Sequence, residues 1–403
     1  MLYPHLLSEA LQKQREDFVR FGRLWQDNVH DYARRLRALN GRTAQEVSDA
    51  ALKIAKEPGA LPSIELERFG SMIVPFDERW RTHEEARWWA IDALYERTTF
   101  AADGSQLLPG REISVPVAAV QVAWFENAHT REGRYQKGAR LHIITPRELL
   151  ESSRERLNPE NVVNYQRFKL ETEALAEFIE RKKDWRAKNE RAPVAFFDGT
   201  LLISFAQPQI QTDYINTIVN LIKASREAKV PLIGYVDQSY ARDLVWLLET
   251  LAGNVDEESS RALNDAQLLC AFLRDEAGQN AWGGRTSFCY CLRKNLSRAF
   301  TDENGRPLIG FTYLQTTSEG APARLDIPVW VYEENLLDEV IDAVRAECIS
   351  GLGYPYVIET ADAAALITTR DRQHFLRVIQ DFADHENLTF RLSRKAASKV
   401  RRR

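Results

Sequence analysis

Two Asp-Gly pairs, Asp103-Gly104-Ser105 and Asp198-Gly199-Thr200, each close an apolar stretch. Thr98-Thr99-Phe100-Ala101-Ala102 precedes the first, and Val194-Ala195-Phe196-Phe197 the second. A β-branched or aromatic run stopped by Asp-Gly reads as a buried strand that delivers a carboxylate to its end. The glycine lets the backbone turn, or lets another group approach where a Cβ would block it. The two pairs lie far apart in sequence, so only the fold can bring them together. Convergent carboxylates hold hard divalent cations, and paired cations are the usual apparatus for cutting phosphodiesters. Asp-Gly is also an ordinary turn dipeptide, so each pair has a purely structural reading beside the chemical one.

Four further acids stand where such a site can use them. Glu171 lies within Arg167-Phe168-Lys169-Leu170-Glu171, Asp237 ends the run Pro231–Val236, Asp265 follows Leu263-Asn264, and Asp362 follows Glu359-Thr360-Ala361. Acids are common at helix starts, which is the alternative for Asp265 and Asp362. Glu171 shares its segment with Glu173, Glu177 and Glu180, so a solvated acidic face is the alternative there. Arg242 and Arg285 are candidate phosphate contacts, since a guanidinium fork matches phosphate geometry; ion pairs are the competing use. Trp124, Phe125 and Trp282 can stack on bases or pack in the core.

The elements that must position these groups follow from periodicity. Residues 1–95 have helical spacing and few strand signals, with a break at Pro58-Gly59-Ala60-Leu61-Pro62. Ile113–Phe125 reads as a long strand, with Tyr135–Ile144 as its partner across a turn. A long helix over Val162–Lys188 leads to the strand ending at Asp198. Beyond it, helices over Asp213–Ala228, Ala241–Leu251 and Leu336–Ser350 alternate with strands at Val230–Val236, Thr286–Leu292, Leu308–Gln315 and Leu325–Tyr332. An αα segment over Ala361–Asn387 closes the pattern. Strands that alternate with helices and end in Asp predict a mixed α/β sheet with its site at strand ends.

Composition narrows the class. The 403 residues carry a net charge of −4, 44% hydrophobic and 28% charged residues, as in soluble globular chains. No apolar run approaches the roughly 20 residues needed to span a bilayer, and the first residues lack a signal-peptide pattern, so the expected location is cytoplasmic. Four cysteines do not make a disulfide framework in a chain this long. Cys289 and Cys291 fall on one face of a strand-like run and are expected to be core thiols rather than zinc ligands. The net charge argues against a blanket electrostatic binder of nucleic acid, not against a nuclease with local basic groups. The stretch from Arg391 through Arg394, Lys395 and Lys399 to Arg403 is basic and acid-free, and is expected to be a tail over residues 391–403.

Three other chemistries fail on their residues. Val194–Ile203 is similar to the haloacid-dehalogenase phosphatase signature, but Phe196 stands where the nucleophilic Asp is required. Ser239 lacks the flanking glycines of a nucleophile elbow, and no Walker-type phosphate loop occurs.

The ordered set of motifs resembles the NurA nucleases. It runs through Thr99–Gln106, Pro116–Val122, Arg167–Glu171, Phe196–Leu201, Gly234–Leu244, Trp282–Thr286 and Gly353–Tyr356, covering about residues 97–390. The resemblance is strongest to the longer bacterial branch, and divides the chain into a helical extension (1–95), a nuclease domain (96–390) and the tail. It implies an RNase H-like mixed sheet flanked by helices and a homodimer. It further implies a Mn²⁺- or Mg²⁺-dependent DNA nuclease, of 5′–3′ exonuclease and single-strand endonuclease type. Such a protein would work with a HerA-type hexameric ATPase in resection of double-strand breaks. By the same resemblance Asp103, Glu171 and Asp198 are catalytic metal ligands joined by Asp265, with a two-metal site expected. Tyr354 is the tyrosine beside them. Asp362 stands where a histidine is common and can still ligate a cation; Asp237 stands where a lysine is common. These departures keep open a second reading, a weakly active nuclease-fold subunit that binds and regulates the ATPase.

Overall fold

The computed structural model describes residues 3–110, 113–154, 158–203, 208–254, 263–277, 282–318 and 320–388. The expected basic tail, 391–403, lies outside the described residues. Residues 3–79 form α1 (Pro4–Lys13), α2 (Arg15–Arg37), α3 (Ala44–Ile54), β1 (Gly59–Pro62), α4 (Glu65–Phe69) and β2 (Ile73–Val74). Next come α5 (His83–Leu94), β3 (Thr99–Leu107), β4 (Ala118–Asn127), β5 (Tyr135–Ile144), α6 (Pro146–Arg154) and α7 (Pro159–Lys182). β6 (Val194–Asp198), α8 (Pro208–Ala228), β7 (Leu232–Val236), α9 (Asp243–Leu251) and α10 (Asp265–Ala277) follow. Then β8 (Arg285–Thr286), β9 (Cys289–Leu292), β10 (Ile309–Leu314), β11 (Ala323–Pro328) and α11 (Val329–Glu333) lead to α12 (Leu337–Ser350), α13 (Tyr356–Ala365) and α14 (Thr369–His385).

The chain forms two compact units, each built from two stretches: residues 1–79 with 235–333, and 80–234 with 334–403. The fold is the expected mixed α/β class, a mixed sheet flanked by helices. The seams at 79–80 and 234–235 do not coincide with the boundary read near residue 95. In the first unit β1, β9, β10 and β11 pair antiparallel in that order, and β2 pairs with β8. The segment Pro58–Pro62, read as a break, is therefore largely a strand. Its backbone is recruited by Cys289–Leu292, a tertiary partner that local propensity does not reveal. Cys289 and Cys291 are buried on β9, and burial pushes the Cys291 thiol up to about 12, which fits core packing.

In the second unit β3 is central. It runs parallel to β6 and antiparallel to β4, and β4 runs antiparallel to β5. Helix α7 starts at Pro159, and the Asn158 side chain accepts from the Glu160 amide, satisfying a donor that the helix leaves open. Alternation then sorts the faces of β3. Phe100 stacks on Phe178 of α7 with ring centroids 4.5 Å apart, and Gln106 donates to Asn164 of the same helix. The opposite face meets α12, where Thr99 donates to Glu347 at 2.7 Å. Helix α7 covers one side of the sheet, and α12 with α13 the other.

Candidate active site

The register of β3 and β6 brings the first two carboxylates together. Ala101 faces Phe196 and Ala102 faces Phe197, so one step further along stand Asp103 and Asp198. Residues level with each other on parallel strands project to the same face. The two Asp-Gly pairs nevertheless differ in backbone. At Asp198 the strand does end, and Gly199 follows with φ +142°, a conformation that L side chains rarely adopt. At Asp103, contrary to the turn expected, β3 continues to Leu107, because β4 keeps pairing with it through Leu107↔Ala119. Only the parallel neighbour stops there, and that leaves Asp103 beside the end of β6.

Gly104 serves a different purpose from a turn. A Cβ on it would lie 2.5 Å from Oε1 of Glu171 and 2.6 Å from Cγ of Arg167. The missing side chain is the space through which α7 reaches β3. Glu171 is buried, unlike Glu173, Glu177 and Glu180, which pair at the surface with Lys169, Arg140 and Lys183. The acidic-face alternative holds for those three and fails for Glu171. Its Oε1 is buried without a hydrogen bond, with Arg167 Nε 3.4 Å away, while Arg167 Nη1 donates to the Gly104 carbonyl at 3.3 Å.

The segment 354–365 closes the opposite side. Tyr354 donates from its hydroxyl to Oδ1 of Asp198 at 2.9 Å. Asp362, on α13, lies close enough to Asp103 for its charge to raise the Asp103 carboxyl. Asp103, Asp198, Asp362 and Tyr354 thus lie toward the α13 side of the sheet, and Glu171 comes against Gly104 from the α7 side.

Electrostatics mark the cluster as overloaded with negative charge. Burial pushes the Asp103 carboxyl up to about 6; the Gly104 amide draws it partly back, and Asp362 and Asp198 add to the rise. Burial pushes Glu171 to about 8, opposed by Arg167 and reinforced by Asp103 and Asp198. Among the described residues, no three His, Cys, Asp or Glu side chains converge as metal ligands do. The side chains themselves are all-oxygen donors, the type a hard cation takes, and Oε1 of Glu171 is buried without a hydrogen bond.

Other expected site residues are used differently. Asp265 belongs to the first unit and is fully buried. Its carboxylate accepts from the Leu244 amide at 3.1 Å, the Val245 amide at 2.9 Å and the Tyr313 hydroxyl at 3.0 Å. It caps the start of α9 rather than joining the cluster. Arg285 is also buried there, in a two-pronged pair with Glu65 at 2.7 and 2.6 Å, so its fork is committed to a carboxylate rather than to phosphate. Arg242 precedes α9 and donates through Nε to the Leu263 carbonyl. Asp237 is exposed just beyond β7. Phe125 is core, Trp124 lies under the Arg140 guanidinium and against Gly138, and Trp282 donates to the Thr316 carbonyl. Arg167 is the site residue that sequence reasoning passed over, although it stands one helical turn before Glu171.

No helix among the described residues is long and apolar enough to cross a membrane. A sequence model of the NurA domain matches residues 97–367, spanning every carboxylate of the cluster. No curated protein matches the chain.

Proposed function

The chain belongs to the NurA family, a family of nucleases, and from that premise we propose that it is a divalent-metal-dependent DNA nuclease. We assign it the 5′–3′ exonuclease and single-strand endonuclease type, acting as a homodimer with a HerA-type ATPase in resection of double-strand breaks. One observation carries the reading. Asp103 and Asp198 stand level on adjacent parallel strands, and Glu171, with a buried oxygen that lacks a hydrogen bond, comes against Gly104 next to Asp103.

In this reading Asp103, Glu171 and Asp198 hold Mn²⁺ or Mg²⁺, with Asp362 as a further oxygen donor. A divalent cation there supplies charge neutralisation for the scissile phosphate and acidifies water. The protein's own groups do the rest. Tyr354 fixes the rotamer of Asp198 through its hydroxyl. Arg167 tethers the Gly104 carbonyl and steadies Glu171. Burial raises the Asp103 and Glu171 carboxyls, and a protonated carboxyl must lose its proton before it can bind a cation, so cation affinity rises with pH.

Asp362 and Asp237, standing where a histidine and a lysine are common, favour one alternative, a subunit of low intrinsic activity that regulates the ATPase. The test is incubation of labelled linear DNA with Mn²⁺, with and without the ATPase, beside Asp103→Ala and Asp198→Ala. Degradation lost in both variants supports the nuclease. Intact DNA under every condition, with ATPase binding retained, sinks it in favour of the regulatory subunit.

A further inference from the structure

Outside the carboxylate cluster, the second unit presents aromatic rings around a cation. β5 is exposed along most of its length. On it, Tyr135 is 62% exposed and packs on Phe125 of β4 with centroids 5.8 Å apart. Lys137 Nζ lies 5.3 Å from the Phe125 ring and 5.8 Å from the Tyr135 ring. Tyr356, 42% exposed at the start of α13, meets the other edge of Phe125 at 6.0 Å. Phe125 is the buried floor, and the two tyrosines keep ring surface open to solvent.

This patch and Asp103 share a face. Ala101, two residues before Asp103, is level with Phe125, and Phe125 is level with Lys137. Tyr356 lies two residues after Tyr354, which holds Asp198, and on the same helix as Asp362. Lys137 forms no ion pair with an acid among the described residues, whereas in the turn that leads into β5 Arg134 pairs with Glu132 at 3.9 Å.

We infer that Tyr135, Lys137 and Tyr356 form a platform for single-stranded nucleic acid beside the cluster. Exposed π-faces stack on unpaired bases whatever their sequence, and an uncompensated lysine among them suits the phosphate between. A duplex keeps its bases stacked internally and cannot use the rings. The inference rests on the reading of this chain as a DNA-acting protein and names the strand form that the platform takes.

The test is fluorescence anisotropy of the full chain with a fluorescein-labelled oligo(dT) in EDTA, where cleavage does not interfere. Tyr135→Ala is expected to weaken binding about tenfold, and Tyr135→Phe to leave it unchanged, because the ring carries the contact. Lys137→Ala is expected to lower the slope of log affinity against log salt by about 0.7, one phosphate contact's worth on a single strand. Unchanged single-strand binding in both alanine variants, with folding verified by circular dichroism, overturns the platform. So does a loss of self-association in their place, which would make the patch a contact between copies. Wild-type cleavage in Mn²⁺ is read in parallel. If the wild type cleaves while the variants bind normally, the platform alone fails; if it binds single strands and never cleaves, the nuclease reading alone fails.

Discussion

Gly104→Ala separates a positioning role from a turn. The glycine has no positive φ and sits within a continuous strand, so alanine is acceptable to its backbone. In a strand interior the swap should even be favourable by about 0.5–1 kcal/mol. The added Cβ, however, would stand 2.5 Å from Glu171 Oε1, where ordinary contact begins at 3.4 Å. Glu171 must therefore retreat by about 0.9 Å, and Arg167, met at 2.6 Å by its Cγ, must shift with it. Overpacking of this kind costs about 1–3 kcal/mol, so the net loss of stability stays near 2 kcal/mol or below. A catalytic group misplaced by about 1 Å can cost a hundredfold in rate. The expected result is a variant that melts a few degrees lower yet degrades labelled DNA about a hundredfold more slowly in Mn²⁺. Activity within about threefold of wild type would show that Glu171 is not held in place by this contact.

Tyr354→Phe removes one hydrogen bond to Asp198 and should lower the cleavage rate about tenfold with little change in melting temperature; single-turnover kinetics check it, and an unchanged rate refutes the role. Arg285→Ala leaves Glu65 buried without its partner and should destabilise the fold by about 3–5 kcal/mol in urea. The salt slope of its DNA binding should stay that of the wild type, and a smaller slope would return Arg285 to the phosphate contacts. Burial pushes the Asp243 carboxyl up, but the guanidinium groups of Arg293 and Arg324 outweigh it and hold it at about 2, below the ordinary 3.8. A folded-state value below the unfolded one stabilises above about pH 4 and is lost as pH falls through about 2, a contribution of roughly 2 kcal/mol. Denaturation series between about pH 5 and pH 2 should show that loss in the wild type and not in Asp243→Asn.

Much was legible in the sequence because it was local. Tyr135–Ile144 was read with the bounds it has, since alternating residues between turn signals define a strand by themselves. The strand ending at Asp198 is legible for another local reason, a β-branched and aromatic run stopped by Asp-Gly. Asp265 and Arg285 were identified as polar groups of consequence, but sequence could not say whether their partners would be a cation and phosphate or a helix end and Glu65. Burial decides that, since a buried charge is kept only with a partner and the nearest available one claims it.

The sequence alone determined which side chains could do chemistry, the elements that carry them and their order, because propensity, alternation and capping act over a few residues. The tertiary structure alone decided that Asp103 lies within a strand rather than at a turn, and that it stands level with Asp198. It also decided that Gly104 is an opening for Glu171, that Asp362 lies near Asp103, and that Tyr135 and Tyr356 meet over one ring. Each of these depends on the pairing of segments distant in the chain, and that pairing is set by strand register and burial.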